Sequence, residues 1–221
     1  MPLPNNNNSN NTLFLLGGTG ALGSAMAPGL VTSKGFDAYK AIVRSTESDA
    51  AQALQSMGWT LVQVPDLTNV SALTKALQGA KTVVSTLGKG DLALLETAAV
   101  KAAKAARVSL FVPSQYGVDY RRFGTEFPFL AGKSKVLAKA DELGLPTLKV
   151  FVGLFSDFIF GFLTNVHEGT ANLIGDIDGG KVSFTKRSDI GYVLARALES
   201  GKYDYKGGIL SMSAETLTWK E

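Results

Sequence analysis

The chain has 221 residues, 45% hydrophobic and 19% charged, which suits one α/β domain, or one domain with a small appendage, and excludes an unstructured chain. The formal net charge is only +3 with no dense run of Lys or Arg, so no nucleic-acid partner is expected. There is no cysteine, which excludes disulfides, thiolate metal sites and a cysteine nucleophile, and with His167 as the single histidine no metal site is expected.

Residues 1–11 are Pro- and Asn-rich with neither a basic region nor an apolar core, and they read as a disordered tail rather than a secretory signal. From Thr12 onward apolar runs alternate with helical patterns. Strands are predicted over 12–16, 39–43, 60–64, 81–86, 109–112 and 147–152, with helices near 20–33, 48–57, 69–78, 91–106 and 129–143. In 91–106, Leu92, Leu95, Ala99, Ala102, Ala103 and Ala106 share one face, Lys101 and Lys104 turn away from it, and Asp91 is placed as N-cap. Pro28-Gly29 falls inside the first helix, where proline removes a donor and clashes one turn back, so that helix is expected to kink or end early. The apolar stretch 150–163 is broken by Ser156 and Asp157 and falls short of the ~20 residues of a bilayer span. No membrane association is expected, and the cytoplasm is the expected location. Strands alternating with helices imply right-handed crossovers and a doubly wound parallel sheet, the α/β Rossmann arrangement.

The strongest motif is Gly17-Gly18-Thr19-Gly20-Ala21-Leu22-Gly23, directly after the first strand and opening the first helix. Gly17 permits a tight turn, Gly20 lets the backbone approach a pyrophosphate, and Gly23 lets the helix pack on the sheet. The helix N-terminus, with Ala21 and Leu22 in its first turn, offers unpaired N–H groups to phosphates. Arg44 ends the second strand about twenty residues beyond Gly23, where NAD-binding proteins place an acidic residue on the ribose. An arginine there suits the 2′-phosphate of NADP, with Ser45 and Thr46 as hydroxyl donors, and NADP(H) is favoured over NAD(H). The competing reading makes Arg44 a solvated residue and leaves the ribose to Glu47 or Asp49. Asp66, followed by Leu67, either accepts the adenine amino group or caps the next turn. Ser85-Thr86-Leu87-Gly88 follows the fourth strand, with its backbone expected under the ribose and pyrophosphate.

Further along stand Phe111-Val-Pro-Ser114-Gln-Tyr116-Gly117-Val-Asp119, then Lys133, then a strand ending in Gly153-Leu-Phe155-Ser-Asp157. With the glycine loop and Arg44, these segments resemble the NmrA-like/isoflavone-reductase-like group of atypical short-chain dehydrogenases over residues 12 to 219. The resemblance implies an NAD(P)-binding domain over 12–152 and a substrate-side region over 153–221 interleaved with the last sheet strand. It implies cofactor contacts from Ser114, Tyr116, Gly153 and Phe155. It also implies that Lys133 touches the nicotinamide ribose and, in the reductases, assists proton transfer. Lys135 or Lys139, on the same helix, is the alternative inward lysine.

The Tyr-x-x-x-Lys pair of ordinary short-chain dehydrogenases is missing, since Phe129 precedes Lys133 by four residues. Tyr116 and Tyr120 are the nearby hydroxyls. Residues 183–198 resemble the family's capped helix, with Ser188 or Asp189 as N-cap. A strand is expected over 208–213. The phrase Thr216-Leu-Thr-Trp-Lys-Glu221 opens a further helix in the family, followed by chain that walls the substrate pocket, so the C-terminal region is expected to be incomplete. Two functions remain open. One is an NADPH-dependent reductase of a small hydrophobic or aromatic carbonyl or enone, with 152–162, including Phe155, Phe158, Phe160 and Phe162, as one pocket wall. The other is a non-catalytic redox sensor with a regulatory protein partner, for which a nuclear location is also open.

Overall fold

The computed structural model describes residues 11–88, 90–120, 128–157, 159, 168–170, 173, 178–201 and 208–221. The predicted tail before Asn11, together with Phe158, Phe160, Phe162 and His167, lies outside the described residues. Asn11 itself is tied down: its carbonyl accepts from the Asp37 N–H at 2.8 Å and its amide donates to the Gly35 carbonyl at 2.6 Å.

Strands and helices alternate as β1 (Thr12–Leu16), α1 (Ala21–Leu30), β2 (Ala38–Val43), α2 (Asp49–Ser56), β3 (Thr60–Gln63) and α3 (Val70–Ala76). The alternation continues through β4 (Ala80–Ser85), α4 (Leu92–Ala105), β5 (Leu110–Val112), α5 (Pro128–Glu142) and β6 (Leu148–Phe151). The first five strands form one parallel sheet in the order β3-β2-β1-β4-β5. A parallel bridge between Phe111 and Thr147 leads on to β6, which pairs in parallel with β9 (Gly208–Ser211). A small second sheet joins β7 (Leu154–Phe155), β8 (Val182–Thr185) and β10 (Glu215–Leu217).

β1 shows why the sheet is covered on both faces. Every residue in it is buried, and successive side chains point to opposite sides. Phe14 and Leu16 pack with Leu73, Ala99, Ala103 and Val136 from α3, α4 and α5. Leu13 and Leu15 pack with Met26, Leu54, Ile190 and Leu194 from α1, α2 and the last helix, α6 (Arg187–Glu199). Three helices therefore cover each face, as a doubly wound sheet requires. No helix among the described residues is long and apolar enough to cross a membrane.

On α4 the Asp91 carboxylate accepts the Leu94 N–H at 3.0 Å, the expected N-cap, and Ala99, Ala102 and Ala103 are buried. α1 runs through Pro28 and stops at Leu30, short of the predicted residue 33. The packing of α1 on α6 requires the glycine of the Pro-Gly pair. A Cβ on Gly29 would stand 2.4 Å from the Tyr192 nitrogen, and one on Gly191 would stand 2.2 Å from the Met26 carbonyl oxygen. Two glycines thus let the helix backbones touch.

Two expectations are corrected. The N-cap of α6 is Lys186, not Ser188 or Asp189: the Ser188 hydroxyl bonds the Asp189 carboxylate instead, and the Arg187 N–H is satisfied from outside the helix by Asp157 at 3.2 Å. Residues 215–217 form β10, antiparallel to β8, so the first part of the phrase expected to open a helix is strand; beyond it the Glu221 carboxylate accepts the Thr218 N–H at 3.0 Å and the Thr218 hydroxyl accepts the Glu221 N–H at 3.3 Å, the reciprocal bonds of a capping box.

Gly191→Ala is expected to lower stability by about 1–3 kcal/mol, because the new methyl meets backbone rather than a flexible side chain. The check is a fall in the urea midpoint with an unchanged slope. An unchanged midpoint would contradict this close crossing.

Candidate functional site

Where β1 and β4 lie side by side, the chain leaves the sheet in opposite directions and opens a crevice at the carboxyl edge. The glycine loop sits there. Gly17 adopts φ +85°, a conformation that favours glycine, and the Gly20 N–H closes the turn onto the Gly17 carbonyl at 3.0 Å. Gly20 is the N-cap of α1 and contributes no side-chain cap, and the first turn holds no acidic residue. The positive end of the helix and its unpaired N–H groups are thus left for an anion. Gly23 serves packing: a Cβ there would lie 2.4 Å from the Gly17 carbonyl oxygen and 2.6 Å from the Thr86 hydroxyl.

The cleft has a volume of about 520 Å³. Gly17, Thr19, Gly20, Ala21 and Leu22 line one side, and Arg44 and Leu67 line the part beside β2. Thr86, Leu87 and Gly88 form the wall after β4, and Ser114, Tyr116, Lys133 and Phe155 line the remainder. Four sequence candidates stand outside the lining. Gly23 packs beneath the loop, and Ser45 closes its own turn by accepting the Glu47 N–H at 3.2 Å. Asp66 caps the following turn, accepting from the Thr68 N–H at 2.8 Å and hydroxyl at 2.7 Å, which hold its carboxyl below the ordinary value. Gly153 packs against the Ser183 carbonyl. Neither Glu47 nor Asp49 lines the cleft; Arg44 does, exposed at its edge.

Of the three lysines on α5, Lys133 is the inward one. Lys135 is exposed and Lys139 pairs with Glu142 at the surface. The Lys133 ammonium donates to the Ser114 carbonyl at 2.8 Å. Burial pushes its pKa down, and the carboxylate of Glu96 acts in the opposite direction.

Glu96, Gln115 and Arg187 were not anticipated. Glu96 is fully buried on α4, and its Oε1 accepts the Ser114 N–H at 2.7 Å. Its other oxygen is buried without a well-formed hydrogen bond. Burial pushes the Glu96 carboxyl up, opposed by the Ser114 N–H, the nearby Ser85 hydroxyl and the charge of Lys133. The sequence held a signal: Glu96 stands four positions after Leu92 and three before Ala99, a charge on the apolar stripe of its helix. Gln115, also fully buried, donates to the Lys133 carbonyl at 3.4 Å. Arg187 lines the cleft from the first turn of α6; its Nε donates to Asp157 at 3.0 Å and a terminal nitrogen reaches the Ala21 carbonyl at 3.5 Å. No local motif marks it, because the α1–α6 packing brings it there.

The chain matches the NmrA-like family over residues 9–221. It belongs to that family. Isoflavone reductase homolog P3 of Arabidopsis thaliana is 25% identical over 225 residues, spanning 95% of this chain and 71% of that protein. Phenylcoumaran benzylic ether reductase Pyrc5 of Pyrus communis is 25% identical over 226 residues, spanning 96% of this chain and 72% of that protein. Among solved structures, AtPrR2 with NADP+ and (+)-pinoresinol superposes with a TM-score of 0.78 at 20% identity, over 96% of this chain and 73% of that one. That likeness bears on the fold, and it agrees with the doubly wound sheet of this NmrA-like chain.

The Asp157–Arg187 pair fastens the end of β7 to α6 and, through Ala21, to the glycine loop. Burial disfavours the Asp157 charge, but the Arg187 N–H, side-chain hydrogen bond and charge outweigh it and hold the carboxyl below its ordinary value. A depressed carboxyl contributes stability above its unfolded pKa and loses it as pH falls through the folded one. Asp157→Asn is therefore expected to be less stable than wild type at neutral pH, by up to about 1 kcal/mol for so exposed a pair. The two melting curves should converge below the ordinary Asp value of about 3.9. A gap that persists into acid would rule out the ion pair as its source.

Proposed function

We propose that this chain is an NADPH-dependent oxidoreductase that reduces a small hydrophobic or aromatic carbonyl or conjugated compound. One observation carries the reading: the glycine loop, Arg44 and Lys133 line a single cleft at the point where the sheet reverses its winding. The residues fit a dinucleotide phosphate. A Cβ on Gly20 would meet only the Gly17 carbonyl oxygen, at 3.2 Å, so the space on the cleft side is clear for a pyrophosphate. Arg44 offers a planar, permanently charged fork to a 2′-phosphate.

Bound NADPH would supply the hydride. The chain's own groups do the rest. The N–H groups at the start of α1 would receive its pyrophosphate, and Arg44 its 2′-phosphate. Leu87, Leu92, Leu95 and Phe155 give the cleft apolar walls that exclude water. Lys133 lies where an ammonium holds ribose hydroxyls and stabilises negative charge developing on a carbonyl oxygen. Tyr116 keeps its proton, since burial and the Glu96 charge both push its phenol upward. The relatives named as reductases, and the NADP+ named with AtPrR2, support this reading over a non-catalytic regulator.

NADPH is expected to bind more tightly than NADH in a fluorescence titration. Arg44→Ala should remove most of the difference, losing on the order of 1.5–3 kcal/mol, about tenfold or more in affinity. Equal binding of both cofactors by the wild type would exclude the role given to Arg44.

Lys133→Met should depress kcat for NADPH oxidation across a carbonyl and enone panel by about 10²- to 10⁴-fold at saturating cofactor, because charge stabilisation and proton transfer act at the transition state. If turnover recovers fully once cofactor saturates, Lys133 is a binding residue alone.

A further inference from the structure

Behind the wall of the cleft, α4 and α5 place opposite charges on one residue of the loop after β5. Glu96 accepts the Ser114 N–H at 2.7 Å and Lys133 donates to the Ser114 carbonyl at 2.8 Å. We propose that Glu96 is a positioning residue that acts through Lys133: its buried carboxylate braces the Ser114 segment and keeps Lys133 charged where it faces the cleft. This rests on the reading of Lys133 given above.

A structural brace alone does not account for a carboxylate. One N–H needs only one acceptor, which a neutral amide or hydroxyl also offers at a smaller desolvation cost. Glu96 instead carries a second oxygen that is buried, without a well-formed hydrogen bond and with the Ser85 hydroxyl nearby. Beside the Ser114 N–H and that hydroxyl, the charge that favours the carboxylate is Lys133. The relation is mutual, because the charge of Lys133 favours ionised Glu96 and the charge of Glu96 favours ionised Lys133. The pair is neutral as a unit, which suits a poorly hydrated place, and only its lysine lines the cleft.

Among the described residues, the titratable groups that face this point are Glu96 on α4, Tyr116 on the loop after β5 and Lys133 on α5. Tyr116 keeps its proton and is not part of the exchange. The direction then follows. With Glu96 neutralised, burial acts on Lys133 against the Ser114 carbonyl alone, and the ammonium gives up its proton at a lower pH than in the wild type.

The test reads the lysine directly, in the full chain without cofactor. Protein labelled with ε-¹³C lysine is titrated by NMR, and the Lys133 signal is assigned by its loss in Lys133→Met. Glu96→Gln keeps the shape and an acceptor for the Ser114 N–H, so the cleft should persist. The Lys133 midpoint is expected to fall relative to wild type, as for loss of a nearby opposite charge. Should Glu96→Gln fail to fold, Glu96→Met fills a similar volume without burying a polar atom and serves for the same measurement. Where turnover is found, the alkaline limb of kcat should move to lower pH in step with the lysine. An unmoved midpoint in the folded variant overturns the proposal and leaves Glu96 a brace. If the wild type turns over no substrate, the oxidoreductase reading suffers, yet the titration still decides the role of Glu96.

Discussion

The carbonyl of Leu16, the last residue of the central strand, accepts two hydrogen bonds from Thr86: one from its N–H at 2.8 Å and one from its hydroxyl at 3.0 Å. That double contact locks the loop after β4 onto the end of β1, and the geometry of the cleft depends on it. The Thr86 hydroxyl occupies the space that a Cβ on residue 23 would need. Gly23 therefore lets α1 start close against both loops, and its N-terminus faces the crevice instead of being lifted from the sheet. Packing at the switch point thus turns the start of α1 to the cleft, with no side-chain cap and no acidic residue in its first turn.

The second constraint acts at the other end of α1. Glycines 29 and 191 bring the backbones of α1 and α6 into contact, just before α1 ends at Leu30. The crossing places Arg187, at the start of α6, beside Ala21 of the glycine loop. Asp157, just after β7, then caps α6 and pairs with Arg187. The second half of the chain thus meets the first along the α1–α6 crossing and in the shared core, and short contacts around the glycine loop complete the join. The cleft is where they converge.

Most of this architecture was legible in the sequence. The six strands and five helices of the main alternation fall within a few residues of their expected places, because buried parallel strands and amphipathic helices carry opposite periodicities. The glycine loop was legible because its chemistry is local. Arg187 and the Gly29–Gly191 contact were not, since each depends on residues more than 150 positions apart that meet only in the fold. The N-cap of α6 was misplaced for the same reason: local rules favour Ser188 or Asp189, but a carboxylate thirty residues upstream supplies the acceptor. Thr216 and Leu217, expected at the start of a helix, pair with β8 instead, a ladder for which no local pattern exists. Asp66 shows the reverse case, in which the local option, a capped turn, is the one the chain takes.

Glu96 is the hardest of these to see, because it stands inside an otherwise regular apolar pattern. α4 is otherwise an alanine-rich helix suited to close packing, and an apolar side chain at position 96 would complete its stripe. The chain instead buries a carboxylate there, next to a phenol and an amide that each leave an oxygen without a partner, in Tyr116 and Gln115. Each such group costs on the order of 1–3 kcal/mol against a protein stable by about 5–15 kcal/mol. Nothing in the packing of α4 on α5 requires that expense, since Val136 and Ala140 meet the buried alanines without it. The polar cluster occurs where the interface of α4 and α5 runs under the cleft, around the one residue that both helices grip. Local consistency is thus broken where Glu96 and Lys133 both bond Ser114, and fulfilled along the rest of the same helix.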